Sequence, residues 1–235
     1  MSADAVTGTD AAMDRRARLV RPLLVAFLVA CAVDLFGVLA GIPAAHLVAK
    51  PLLMPLLAGY AAARRGPRLL VAALLFGWGG DTLLLADSDA AFLVGMSSFA
   101  VGHVCYLWLF GRARSPLLAG AGYAAVLATF VALLWNGLPA DMRIPMTGYS
   151  LLLTAMAYRA GTLGRYAAAG GALFLLSDAL IATGIADWPQ LPAPDFWVML
   201  TYVAAQFLLT VGALAPGAKR LVFTRVAYRE RGTSP

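Results

Sequence analysis

The sequence predicts an all-α membrane protein, a polytopic bundle of eight transmembrane helices with both termini in the cytoplasm. Three observations carry that prediction. Hydrophobic residues make up 61% of the 235 positions and charged residues 13%, with a mean hydropathy of +0.79, which leaves too little polar surface for a soluble globule. Apolar runs long enough to cross a hydrocarbon core of about 30 Å recur along the chain with short polar breaks. These runs lack the alternation of barrel strands, and lipid admits only helices or closed barrels, because backbone groups find no water there.

The elements follow in order. The first span, 19 to 40, has Arg15, Arg16, Arg18 and Arg21 around its start, carries Asp34, and has a Gly37/Gly41 GxxxG at its outer end, suited to close packing. The second, 44 to 63, holds Lys50 and two prolines, Pro51 and Pro55, that free backbone carbonyls and bend a helix. Arg64, Arg65 and Arg68 then introduce the third, 68 to 86, which contains Asp81. The fourth, 91 to 110, carries His103 and Tyr106, three residues apart and so on one helix face. Arg112 and Arg114 separate it from the fifth, 116 to 135; the sixth, 143 to 160, ends at Arg159; and Arg165 precedes the seventh, 166 to 184, which contains Asp178. The eighth, 195 to 215, brings Tyr202 and Gln206. The third and fourth spans echo the seventh and eighth in placing an acid before a short acidic loop, a weak sign of a parallel repeat.

Arginine placement orients the bundle, since cytoplasmic loops near span ends carry the excess of Lys and Arg. The opposite connections hold Asp87, Asp89, Asp141, Asp187 and Asp195, with Arg143 as their basic residue. Residues 1–14, small and polar, read as a disordered tail, 15–215 as the membrane domain, and 216–235, with Lys219, Arg220, Arg225, Arg229 and Arg231, as a basic cytoplasmic tail. The net charge of +6 follows from this loop bias. Basic residues spread over every inner loop suit anionic lipid headgroups, not nucleic acid. Cys31 and Cys105 lie inside spans, read as small buried hydrophobes, and imply no disulfide framework. No metal site, cofactor or protein partner is expected.

Two acids inside apolar runs, Asp81 in LLFGWGGDTLLLA and Asp178 in GGALFLLSDALIATG, are the informative feature. A carboxylate in hydrocarbon is costly and usually faces a bundle interior or a wet cavity. At 1.5 Å per residue both lie roughly 8 to 9 Å from the outer ends of their helices, and Asp34 and Lys50 roughly as deep, while His103 and Tyr106 sit roughly 18 and 23 Å down. One polar pocket opening outward would collect Asp81, Asp178, Lys50, Tyr202 and Gln206, with His103 and Tyr106 below. Plainer readings stand beside this one: Asp34 and Lys50 suit a structural ion pair, His103 a satisfied core histidine, and the tyrosines and Gln206 interhelical bonds of about 1 kcal/mol each.

The residues that carry these features also carry a resemblance. FLVGMSSFAVGHVCY, from Phe92 to Tyr106, reads F-x-x-G-x-x-x-F-x-x-x-H-x-x-Y and follows GD at Gly80 and Asp81; KP at Lys50 and Pro51, SD at Ser177 and Asp178, and TYVAAQ from Thr201 to Gln206 complete the set. Taken in this order, from the second span to the eighth, the motifs resemble the YhhN-type lysoplasmalogenase family. The resemblance implies an eight-helix membrane hydrolase that cleaves the vinyl ether of a lysoplasmalogen to a fatty aldehyde and a glycerophospho-alcohol. It further implies that Asp81 and Asp178 are the catalytic positions, with Lys50, His103, Tyr106, Tyr202 and Gln206 in the surrounding pocket and no metal involved; Asp34, outside these motifs, joins the supporting candidates by its depth alone. The substrate would be a lysophospholipid drawn from the surrounding membrane lipids, and the cell membrane is the expected location.

The residue chemistry suits that reaction, because vinyl ether hydrolysis needs a proton donor and an anion to steady the oxocarbenium ion, as glycoside hydrolysis does. Two poorly solvated carboxyls that share one proton supply both. The same acids would also suit a proton-coupled transporter with Asp81, Asp178 and His103 as its relay, or a hydrolase of another ether lipid.

Overall fold

A computed structural model describes the backbone of residues 3–86 and 88–215 and, within that range, side chains from Arg16 onward. The tail 216–235 and Asp87, both used above for orientation, lie outside the described residues. Among them are eight α-helices and no strand: α1 (Ala3–Leu39), α2 (Pro43–Ala63), α3 (Arg68–Leu83), α4 (Asp89–Phe110), α5 (Leu117–Leu134), α6 (Arg143–Ala160), α7 (Arg165–Ile185) and α8 (Pro194–Leu214).

The breaks follow from local chemistry. Gly41, at φ +66°, turns the chain between α1 and α2, and Pro43 opens α2, where a missing N–H costs nothing. Ser88 caps α4 by accepting a hydrogen bond from the Ala91 N–H at 3.2 Å, and Gly111, at φ +69°, ends it. Pro194 opens α8 directly after Ala193, which is held in the left-handed region at φ +53°. Arg159, in the last turn of α6, donates to the carbonyls of Ala113 and Gly111 and so satisfies backbone between α4 and α5 that no helix can.

By length and composition, six of the eight helices are apolar enough to cross a membrane: Arg16–Leu39 of α1, and α2, α4, α5, α7 and α8. The 16-residue α3 is short for a full crossing, and α6 carries Thr147, Tyr149, Ser150 and Thr154 among its apolar residues. Both helices line the central cavity, where polar side chains have a use. The protein is an integral membrane protein.

Seven helices close a ring in which α1 packs on α2, α2 on α3, α3 on α4, α4 on α6, α6 on α7, α7 on α8, and α8 back on α1. The fifth helix stands outside, against α6. Close approaches at glycine set the tightest joints: a Cβ at Gly170 would meet the Ala205 carbonyl and the Leu209 nitrogen at 2.8 Å, and one at Gly212 the Ala167 nitrogen at 2.8 Å. Glycine lets the two backbones touch, and that contact fixes α8 against α7. The main core joins Phe27, Leu53, Tyr106, Phe174, Tyr202 and Leu209 from five helices, and a smaller one, around Leu134, Met146 and Ala186, ties the end of α5 to α6 and α7. Cys31 and Cys105 are buried free thiols, consistent with their reading as small hydrophobes.

Candidate active site

A cavity of about 330 Å³ takes its walls from α2 through α8, α5 included through Val126, Leu127 and Phe130. Most of its lining is aliphatic or aromatic. The polar exceptions include Lys50, Asp81, Tyr149, Asp178 and Tyr202. The two acids singled out by the sequence therefore open onto one chamber, from α3 and α7.

Each acid is held by a tyrosine. On one side Tyr202 Oη donates to Asp81 Oδ2 at 2.7 Å, Gln206 Nε2 donates to Tyr202 Oη at 3.3 Å, and Tyr106 Oη donates to Gln206 Oε1 at 2.7 Å. This chain runs from α4 through α8 to α3, and every member is buried. Tyr202 and Gln206 sit four residues apart on α8, so one helix face delivers both. On the other side Tyr149 Oη donates to Asp178 Oδ2, and His103 Nε2 lies 3.0 Å from the same hydroxyl. Since the phenol has one proton and gives it to Asp178, the imidazole must donate from Nε2, which leaves Nδ1 as a bare lone pair. Nδ1 is buried without a partner, and the ring packs edge-on against Phe174 at 4.8 Å between centroids.

Backbone packing explains why the carboxyls face inward. Gly80 precedes Asp81 and rests against the Phe99 ring, which a Cβ would meet at 2.4 Å, and Gly77, one turn earlier, faces Gln206 and Tyr202. With no side chains there, α3 lies close to α4 and α8, within reach of the Tyr202 hydroxyl. Ser177, beside Asp178, donates to the Val198 carbonyl at 3.1 Å and ties α7 to α8 at the level of the acid.

Lys50, Asp81, Asp178 and Tyr202 line the chamber; Gln206, Tyr106 and His103 stand behind it, joined through hydrogen bonds. Asp34 does not line it. Its Oδ1 pairs with His46 Nδ1 at 2.9 Å, and its Oδ2 is buried without a partner, so the Asp34–Lys50 ion pair considered from the sequence is replaced by Asp34–His46. The cause is the α1–α2 hairpin: a Cβ at Gly37 would lie 2.6 Å from that of Ala45, and this contact carries His46 to Asp34 one turn below. Lys50 is left free to face the chamber, within electrostatic reach of Asp81.

Tyr149, which lines the chamber and donates to Asp178, is the candidate side chain that the sequence does not single out. A lone tyrosine in a membrane helix reads as an ordinary interface residue. The available signal was its company: Thr147, Ser150 and Thr154 give α6 a polar character that its neighbours lack. Among the described residues no three His, Cys, Asp or Glu side chains converge on a point where a metal ion could be held.

Residues 45–213, which hold every side chain of the two hydrogen-bonded chains, match the YhhN family model. The chain is 39% identical over 149 residues to lysoplasmalogenase TMEM86B of Homo sapiens, a stretch covering 63% of this chain and 64% of that protein. It is 34% identical over 163 residues to a lysoplasmalogenase of Mycobacterium tuberculosis (strain CDC 1551 / Oshkosh), covering 63% and 61%, and 30% identical over 167 residues to lysoplasmalogenase TMEM86A of Homo sapiens, covering 66% and 69%. The match thus spans less than two thirds of the length of the first two relatives. No solved structure matches the chain. With α3 to α7 inside the matched region and all but the ends of α2 and α8 covered by it, the chain belongs to the YhhN family.

Proposed function

We propose that this protein hydrolyses the vinyl ether bond of a lysoplasmalogen by acid catalysis shared between Asp81 and Asp178. The observation that carries the reading is that both carboxyls line one largely apolar chamber, each bonded to a tyrosine hydroxyl. The relatives named lysoplasmalogenase supply the substrate class.

The proton cycle closes without a cofactor. In the resting pair one carboxyl is protonated and its partner ionised, because two carboxylates in a poorly solvated site repel each other. The acid gives its proton to the β-carbon of the vinyl ether, the double-bond electrons form that C–H bond, and the cation spreads over the α-carbon and the ether oxygen. The ionised partner steadies this oxocarbenium ion and takes a proton from the water that adds to the α-carbon. The two carboxyls have now exchanged states. The hemiacetal hydroxyl returns its proton to the first, the second protonates the glyceryl oxygen, and the C–O bond breaks to give aldehyde and alcohol with both groups reset. Lys50 orients the ionised member, and Tyr149 and Tyr202 hold the carboxyl planes towards the substrate.

The topology belongs to the same proposal. Eight helices cross or enter the cell membrane with both termini cytoplasmic, supported by the arginines at the inner ends of α1, α3, α6 and α7. The acids then lie in the outer half, where a lysolipid with its headgroup at the interface presents a shallow vinyl ether bond.

Purified protein in detergent should release fatty aldehyde from 1-alkenyl lysophospholipid without an ion gradient, and Asp81→Asn and Asp178→Asn should each abolish release while the protein still elutes as a folded species. A proton-coupled transporter would instead need a gradient and leave the lipid intact. Preferential cleavage of acyl lysolipids would overturn the chemistry.

A further inference from the structure

The least packed helix has a purpose in its looseness. Of the residues on α5, Leu134 alone is buried. Between α5 and α6 runs a second cavity, about 500 Å³, with a lining almost wholly apolar. Its α5 wall is a row of small residues four apart, Gly120, Ala124, Ala128 and Ala132. Such a row ordinarily draws two membrane helices into tight contact; here Tyr158 covers Gly120 and the other three line the groove. Leu127 and Thr154 line both this groove and the chamber that holds Asp81 and Asp178, so the two spaces meet there. At that junction the Thr154 hydroxyl is buried without a partner, although the residue is only 5% exposed. A polar atom left unsatisfied there marks space that a ligand or water fills.

Dimensions suit a hydrocarbon chain. From Tyr149, at the acid, to Tyr158, at the far end of the groove, α6 advances about 13 Å, and an extended alkyl chain with bonds of about 1.5 Å covers that length in roughly ten methylenes. Tyr158 bounds the far end: its ring lies tilted at 54° beside Tyr123 with centroids 6.2 Å apart, stands 3.1 Å from where a Cβ of Gly120 would be, and its hydroxyl donates to the Ser115 carbonyl at 3.2 Å.

We infer that the α5–α6 groove is the binding subsite for the alkenyl tail of the substrate, with α5 as the outer wall that yields to admit it from the bilayer. The inference rests on the proposed vinyl ether hydrolysis for the identity of the tail. A lysolipid enters tail first between α5 and α6, its chain lies along the row of small residues, and its vinyl ether reaches the acids at the Leu127–Thr154 junction. Tail length is then read by the groove.

Two measurements test this. In the first, Ala155→Trp and Ala124→Trp fill the groove at one level, about two thirds of the way from the acid to its far end, and hydrolysis is followed for alkenyl lysophosphoethanolamines with tails shorter and longer than the distance to the block. The ratio of kcat/KM for short over long tails should rise by about tenfold or more, the discrimination a filled apolar pocket ordinarily gives. Gly122→Trp, on the same helix where nothing lies within 4 Å of an added Cβ, should leave the ratio unchanged. An unaltered ratio in the groove variants, with wild-type hydrolysis intact, overturns the subsite and spares the hydrolase. The second measurement needs no turnover and no variant: an alkyl-ether lysolipid, which cannot be hydrolysed this way, carries a diazirine at mid-chain and is photolysed with the wild-type protein. Label on peptides 117–134 and 143–160 supports the groove even if the protein cleaves no vinyl ether, in which case the proposed function alone falls. Label confined to other helices overturns it.

Discussion

Tyr149→Phe removes one oxygen and disturbs two groups. Asp178 loses the phenol that donates to it, and His103 Nε2 loses its partner at 3.0 Å, leaving an imidazole with neither nitrogen bonded, since Nδ1 is already without one. A hydrogen bond to an ionised group contributes about 1.5 to 3 kcal/mol, and an unsatisfied buried donor costs about 1 to 3 kcal/mol. The two are coupled through one hydroxyl and do not simply add. A loss of about 3 kcal/mol is therefore expected, a factor of roughly 100 in kcat/KM where it is felt in the transition state. The assay is aldehyde release from alkenyl lysophospholipid by purified protein, with a melting temperature on the same preparation. The companion variant Tyr149→Phe with His103→Phe replaces both partners by apolar rings, which relieves the unpaired imidazole. It should recover melting temperature while activity stays low, because Asp178 still lacks its donor. Tyr149→Phe with kcat/KM within twofold of wild type and an unchanged melting temperature would refute the reasoning: the bond to Asp178 would then be incidental.

Other expectations follow the same geometry. Tyr202→Phe should lower kcat/KM by about 10- to 100-fold, from loss of its bond to Asp81 and of the partner for Gln206 Nε2, with Gln206→Leu milder because Tyr202 stays in place. Gly170→Ala, whose added carbon would sit 2.8 Å from α8 backbone, should destabilise by about 1 to 3 kcal/mol in a thermal-shift assay, whereas Gly148→Ala, with nothing within 4 Å, should be silent. Thr210→Val removes a fully buried hydroxyl that has no partner, and its melting temperature should equal or exceed that of wild type. A pair of carboxyls that works with one proton should give a bell-shaped pH profile, falling on the acid side as the anion is lost and on the alkaline side as the acid is lost, with a normal solvent isotope effect on the limb where carbon is protonated; a rate independent of pH would remove the pair from the chemistry.

Much of this site was legible before any coordinates, and for one physical reason. Charge in an apolar run stands out because bilayers make it expensive, so Asp81, Asp178 and Lys50 could be found one helix at a time. Tyr202 and Gln206 came with them because they enter their helix from the same side, whereas Tyr106, which depth alone places well below the acids, came through the motif it shares with His103. Helix ends were mostly as plain: α1 starts at Ala3, well before the expected 19, but from the second span on the expected and observed bounds differ by a few residues, as at 68–86 against Arg68–Leu83. What stayed hidden depends on how helices meet. Asp34 found His46 in place of Lys50 through a contact between Gly37 and Ala45 that no periodicity reports. Tyr149 gained its place by facing a neighbour across the chamber, and tyrosine alone carries no such mark. The displacement of α5 from the ring was equally unreadable, since its composition resembles that of helices that pack tightly. The eight crossings and the cytoplasmic termini rest on charge placement, and six helices meet the length and composition needed to span.

The bond between Tyr202 and Asp81 joins positions 121 residues apart. During synthesis α3 leaves the ribosome long before α8 exists, so a nascent chain spends most of its insertion with an acid in the bilayer and no phenol to meet it. On the proposed mechanism, the pairing that holds Asp81 is therefore completed only when α8 arrives. A chain stalled short of α8 would lack Tyr202 and Gln206 and would carry that carboxyl unmet.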